Sequence, residues 1–272
     1  MSNGPQPDLT PPPPAGDADV APLLEVTDVS KSFGGIAAVN HMSFSVQPGE
    51  SVGLVGPNGA GKTTLFNCIC GQLRPETGRV ELAGTEIDRL AVYERARLGI
   101  GRTYQRVEVF PDMTVRQHLL VAERARRGDG RLWRDLCNRS RPAADELHRV
   151  AEVLDLVGIG DRADDSVSAL GLGSCRLVEL GRALVAEPSI LLADEPSSGL
   201  DVHETQELAK VLRALQHERG LAVLLVEHDL AMVGAVVDRA IVMDLGSMVA
   251  QGTFDEVMAD PLVRDAYLGT SA

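Results

Sequence analysis

Apolar residues recur along this chain in two rhythms. Met42, Phe44 and Val46 alternate with polar neighbours, which predicts a half-buried antiparallel strand. With the segments Leu24–Val29 and Arg79–Leu82 it predicts a small β layer beside a main sheet. Four other short runs, Ser51–Val55, Leu98–Gln105, Ile190–Glu195 and Leu221–His228, read as buried strands, and the last three end in chemically loaded residues. Helical spacing fills the intervals, for instance over Lys62–Cys70, so the pattern is that of a parallel α/β core. Residues 112–172 carry no strand signal. Thr114–Arg127 and Ala143–Val157 instead show apolar positions at helical spacing, with Leu147, Val150, Leu154 and Val157 on one face of the second. This predicts a helical subdomain inserted into the sheet's connectivity. A helix over Cys175–Ala186 turns Leu177, Leu180 and Leu184 inward, Asp244–Ser247 reads as a hairpin turn, and short helices follow from Asp255.

Residues 1–22 hold Pro11–Pro14 in a polar, acidic stretch that cannot bury enough apolar surface to order itself. They are expected to form a tail rather than a proline-motif docking site. The remaining length suits one large domain with a subdomain, and no internal repeat is present. The net charge of −13 argues against nucleic acid as a partner. Arginines crowd one stretch, from Arg124, Arg126 and Arg127 through Arg131, Arg134, Arg139 and Arg141 to Arg149. A solvated helical face is the expectation there, ahead of a lipid-headgroup or partner patch. Cys68, Cys70, Cys137 and Cys175 have neither a CxxC spacing nor histidine partners and are expected to be buried, reduced thiols. No apolar run approaches the roughly 18 residues of a membrane helix, and the start has no targeting pattern, so a soluble protein that stays inside the cell is expected.

The chemistry concentrates at Gly56-Pro57-Asn58-Gly59-Ala60-Gly61-Lys62-Thr63-Thr64, between a predicted strand and a predicted helix. Glycines at 56, 59 and 61 let the backbone curl so that successive N–H groups point at phosphate oxygens. The helix start adds unpaired N–H groups and a positive dipole end. Lys62 can reach the β- and γ-phosphates, and the Thr63 hydroxyl can ligate Mg²⁺. The apolar run Ile190–Ala193 then ends in Asp194 and Glu195. Carboxylates at that end of an open sheet are placed to hold Mg²⁺ (Asp194) and to orient or deprotonate an attacking water (Glu195).

With these motifs in one order, residues 23–270 resemble the ATPase subunits of ABC transporters. The resemblance implies a P-loop ABC nucleotide-binding domain of α/β class, with a RecA-like core, an antiparallel β subdomain and a helical subdomain. It implies that Phe33 stacks on adenine, that Gln105 touches Mg²⁺ and senses a membrane partner, and that Asp201 ends the D-loop in Ser198-Gly-Leu-Asp201. It further implies that His228 contacts the γ-phosphate. The family signature, usually Leu-Ser-Gly-Gly-Gln, falls on Leu170-Gly171-Leu172-Gly173-Ser174, so Gly171 replaces the serine that bonds the γ-phosphate. Losing one hydrogen bond to a charged group costs roughly 1.5–3 kcal/mol, which tunes hydrolysis rather than abolishing it. Backbone N–H groups and the helix dipole remain, with Ser174 the expected N-cap.

Phe33-Gly-Gly35, Asn67-Cys68, Gly101–Gln105, Phe110–Val115 and Ala266-Tyr-Leu-Gly269 are similar to the branched-chain amino-acid transporter ATPases. That resemblance implies an ATPase on the cytoplasmic face of the membrane, with ATP and Mg²⁺ as cofactors. Its implied partners are transmembrane permease subunits, a second ATPase subunit (homo- or heterodimer, the subfamily favouring the latter) and, indirectly, an extracytoplasmic substrate-binding protein. A soluble, non-transport ABC ATPase and an ATP-dependent regulatory module remain alternatives.

Overall fold

The computed structural model describes residues 21–103, 110–127 and 142–268. Two sheets carry the fold. The first joins β1 (Leu24–Phe33), β2 (Ile36–Val46), β4 (Thr77–Leu82) and β5 (Thr85–Glu86), all antiparallel, in the order β2-β1-β4-β5. The second has six strands in the order β10-β9-β3-β8-β7-β6. Here β3 (Ser51–Val55), β6 (Ile100–Arg102), β7 (Ile190–Asp194), β8 (Ala222–Val226) and β9 (Arg239–Asp244) run parallel, and only β10 (Ser247–Gly252) is antiparallel.

β3, β7 and β8 are buried at every residue because both faces of their sheet are covered. On one face Val52, Leu54, Leu192 and Leu224 pack with helix α1 (Lys62–Cys70) and the apolar side of the antiparallel sheet. On the other, Leu191, Val223 and Val242 pack with the helices that follow. Those helices are α3 (Val115–Arg127), α4 (Ala144–Leu156), α5 (Leu172–Leu184), α6 (Val202–Arg219) and α7 (Leu230–Val236), with α2 (Val92–Arg97) preceding β6 and α8 (Phe254–Ala259) and α9 (Pro261–Leu268) closing the chain. The expected half-buried strand is present in β2, where Met42, Phe44 and Val46 face inward. Among the described residues, 112–172 hold no strand beyond a single bridge between Thr114 and Ser166. No described helix is long and apolar enough to cross a membrane.

Cys68, Cys70 and Cys175 are buried and free. Burial pushes the Cys68 thiol up to about 11 and Cys70 up to about 12, which keeps both protonated and unreactive.

The arginine stretch corrects an expectation at Arg124, while Arg126 and Arg127 are exposed as expected. Arg124 is not part of a solvated face but is buried against Glu146, with nitrogen to oxygen at 3.2 Å. Arg126, Arg127 and Arg149 gather on Glu123, whose side chain is fully buried. Burial alone would raise the Glu123 carboxyl, yet hydrogen bonds from Arg126 and Arg127 bring it below the usual range. Arg149 also pairs with Glu187, in the loop after α5, so the network ties α3 and α4 to the edge of the core. Arg131, Arg134, Arg139, Arg141 and Cys137 lie outside the described residues, as do Gln105 and residues 1–20.

Candidate functional site

The segment Gly56–Gly61 leaves the carboxyl end of β3 and enters α1 directly. Its curl depends on glycine at both ends. Gly56 sits at φ 147° and Gly61 at φ 99°, and a Cβ at either would collide with a carbonyl oxygen, of Met243 and Ala38 respectively. The loop is thus wedged between β2 and the β9–β10 hairpin, whose turn donates from the Gly246 N–H to the Ala60 carbonyl at 2.9 Å. Gly61 is the N-cap of α1 and offers no side chain, so the first-turn N–H groups are left for an anion. Asn58, Gly59 and Thr63 are exposed on this concave side, with Pro57 and Thr64 half-buried.

Lys62 is buried, and its ammonium donates to the carbonyls of Gly56 at 2.6 Å and Pro57 at 3.0 Å. Burial lowers its pKa, and the charges of Glu195 and Asp194 push back upward. The lysine therefore belongs to one electrostatic cluster with the carboxylates at the end of β7. Asp194 is also buried. Burial raises its carboxyl, and Arg102 at 3.9 Å opposes that rise. Arg102 in turn stacks on Phe66, 4.9 Å from the ring centroid, and donates to the Asn67 side chain at 3.3 Å.

Glu195 follows with φ 45°, a left-handed conformation that costs a non-glycine residue about 1–3 kcal/mol. Its N–H donates to the Val226 carbonyl at 2.8 Å, which fixes the turn out of the sheet. His228, just past β8, places Nδ1 3.9 Å from a Glu195 oxygen and leaves its ring largely exposed. Lys62, Asp194, Glu195 and His228 thus share the carboxyl ends of β3, β7 and β8.

Sequence reasoning passed over Glu227. Its carboxylate is fully buried and accepts from the N–H groups of Ser197 at 2.8 Å, His228 at 3.0 Å and Asp229 at 3.3 Å. It clamps the loop after β7 to the loop after β8. A carboxylate next to a wholly apolar strand was the only signal. Glu227→Ala leaves these donors without their charged acceptor, at about 1.5–3 kcal/mol per bond. Thermal melting should fall by roughly 10 °C or more; a melt within 2 °C or so of the parent would remove the clamp.

Phe33 ends β1 and is half-exposed, with the Lys31 ammonium 5.6 Å from its ring centroid. The signature residues lie elsewhere. Gly171, and not Ser174, is the N-cap of α5, because the helix begins at Leu172. Ser174 stands in the first turn, and its hydroxyl accepts from Arg162 at 3.3 Å. Gly173 and Asp201 are brought together through Glu204, which accepts from both N–H groups. Asp201 caps α6, accepting from the Glu204 N–H at 2.8 Å. Among the described residues, no hydrogen bond links Gly171–Ser174 to the phosphate loop.

Comparison with known proteins adds a lineage to this geometry. The family described as ABC transporter matches residues 39–198, and that described as branched-chain amino acid ATP-binding cassette transporter matches residues 247–272. The chain is similar to the high-affinity branched-chain amino acid transport ATP-binding protein LivG of Salmonella typhimurium, at 38% identity over 91% of this chain and 98% of the relative. It is also similar to BraF of Pseudomonas aeruginosa, at 36% identity over the same shares. Among solved structures it resembles the ADP conformation of an ATP-binding cassette of an ABC transporter. That match has a TM-score of 0.82 and 29% identity, covering 92% of this chain and 99% of the other.

Proposed function

This chain belongs to the ABC transporter ATPase family, and from that premise we propose that it powers import of branched-chain amino acids or similar small substrates. It binds nucleotide and hydrolyses ATP to drive transport. One observation carries the reading: the likeness to LivG and BraF spans nearly the whole of both partners. The terminal match to the branched-chain family sets it apart from a soluble, non-transport ATPase. We read residues 23–270 as one ATP-binding domain, with about 112–172 as its helical part.

In the mechanism proposed, the exposed Phe33 ring receives adenine. Backbone N–H groups from Gly56 to Thr64 cradle the phosphates. Lys62 exchanges the carbonyls of Gly56 and Pro57 for the β- and γ-phosphates. Thr63, Asp194 and Gln105 would hold Mg²⁺. The donors fit: Asp194 is a buried carboxylate that gains from a cation, and Mg²⁺ sites of this kind take few protein ligands, drawing the rest from phosphates and water. When bound, the ion neutralises phosphate charge. Glu195 accepts a proton from the attacking water, and His228 contacts the γ-phosphate. Gly171, Gly173, Ser174 and Asp201 face ATP held by a second ATPase subunit, identical or related.

As an ABC ATPase, the chain works with permease subunits and dimerises. We place it on the cytoplasmic face of the membrane, with an extracytoplasmic binding protein delivering substrate. The test is affinity purification from detergent-solubilised membranes. Recovery of two multi-helix permease chains and a second ATPase supports the reading; recovery only in the soluble fraction overturns it.

The Gly171 departure has its own expected result. Gly171 is exposed at φ −71°, and a Cβ there meets nothing within 4 Å. Gly171→Ser therefore fits without strain and should cap α5, keeping or raising ATPase activity by up to about a hundredfold, the upper worth of one hydrogen bond to a charged group. A collapse of activity would mean that this segment does not meet the nucleotide.

A further inference from the structure

The first turn of α5 already holds an anion, and it comes from the protein itself. One oxygen of Glu204 accepts from the Gly173 N–H at 3.2 Å and the other from the Asp201 N–H at 3.1 Å. A single carboxylate therefore sits across the starts of two helices, where unpaired N–H groups and the positive dipole ends favour negative charge. The approach is close: a Cβ on Gly173 would stand 2.7 Å from that oxygen, and the carboxylate would have to move aside. Leu172 presses against Gly199, and Arg176 donates to the Ser198 carbonyl at 3.2 Å, so the signature turn and the D-loop form one block around this carboxylate.

We propose that Glu204 is an autoinhibitory placeholder: in the open subunit it occupies the Gly173 N–H, and it must yield that donor to the γ-phosphate of ATP held by the second subunit. The inference rests on the proposed reading that the signature turn meets the partner's nucleotide. Two negative groups cannot share one N–H donor, and at this distance they repel. Closure is thus opposed until a phosphate able to displace the carboxylate arrives. ADP has no γ-phosphate and gains nothing from the exchange. Glu204 is in these terms a positioning residue, acting through Gly173.

The experiment uses the assembled transporter with Glu204→Gln and Glu204→Ala. Glutamine keeps the shape and one acceptor but removes the charge. The ATP concentration for half-maximal hydrolysis should fall about three- to tenfold in both variants, the reach of one charge at a helix terminus. Inhibition by ADP should not move. Unchanged or raised half-saturating ATP in Glu204→Gln overturns the proposal, as does an equal shift for ADP. If alanine alone raises it while lowering the melting temperature, the bond is a structural cap and the proposal fails. Absence of Lys62-dependent hydrolysis in the parent complex would instead sink the motor reading, and this inference with it.

Discussion

Lys62→Ala is expected to weaken ATP binding by roughly 10²–10⁴-fold, the worth of two lost hydrogen bonds to charged phosphate oxygens. The side chain is buried and held by the Gly56 and Pro57 carbonyls, so its ammonium waits at the loop without needing to be ordered by the ligand. Its removal also withdraws one of the cations that offset Asp194 and Glu195, so the two carboxylates repel the incoming phosphates more strongly. Both effects act in the same direction. Titration with a fluorescent ATP analogue, beside a thermal melt to establish folding, reads the result. A folded variant that binds within threefold of the parent would refute the assignment of Lys62.

Glu195→Gln separates binding from chemistry. The amide preserves size and can keep the φ 45° turn with its N–H on Val226, but it cannot take a proton from water. Turnover should drop by a factor of order 10²–10⁴, the usual contribution of a positioned base. Nucleotide affinity should hold, and ATP should trap a closed dimer visible by size-exclusion chromatography. If the variant hydrolyses within threefold of the parent, the proton goes elsewhere and Glu195 is not the base.

What was legible in the sequence follows from how each feature is encoded. The placement of Gly56–Gly61 between β3 and α1, and of Asp194-Glu195 at the end of β7, could be read directly, because it is marked by residue types at fixed local spacing. The buried strands could be read from unbroken apolar runs, since a sheet covered on both faces needs them. Long-range pairing could not. Glu123 stands at helical spacing from Arg126 and Arg127, but nothing in the chain marks its full burial or the approach of Arg149 from α4, and charge density alone suggested solvent. Ser174 was misplaced for a related reason. Local capping preference favours serine over glycine, but Leu172 against Gly199 and Glu204 on the Gly173 N–H draw the helix start back to Gly171. Glu227 was invisible because its three donors lie in two loops some thirty residues apart.

Strand order sets a condition on how this protein is made. β3 carries the phosphate loop early in the chain, yet its two sheet neighbours are β8 and β9, near the end. The carbonyl that backs Gly56 and the N–H that holds Ala60 belong to Met243 and Gly246. On a translating ribosome the loop's strand therefore waits unpaired while most of the remaining chain is built, on the order of 10–30 s at ordinary elongation rates. Nucleotide cannot template that early folding, and the exposed apolar strand is a natural client for a nascent-chain chaperone. Competence to bind ATP arrives in one late step, when the β9–β10 hairpin closes beneath the loop.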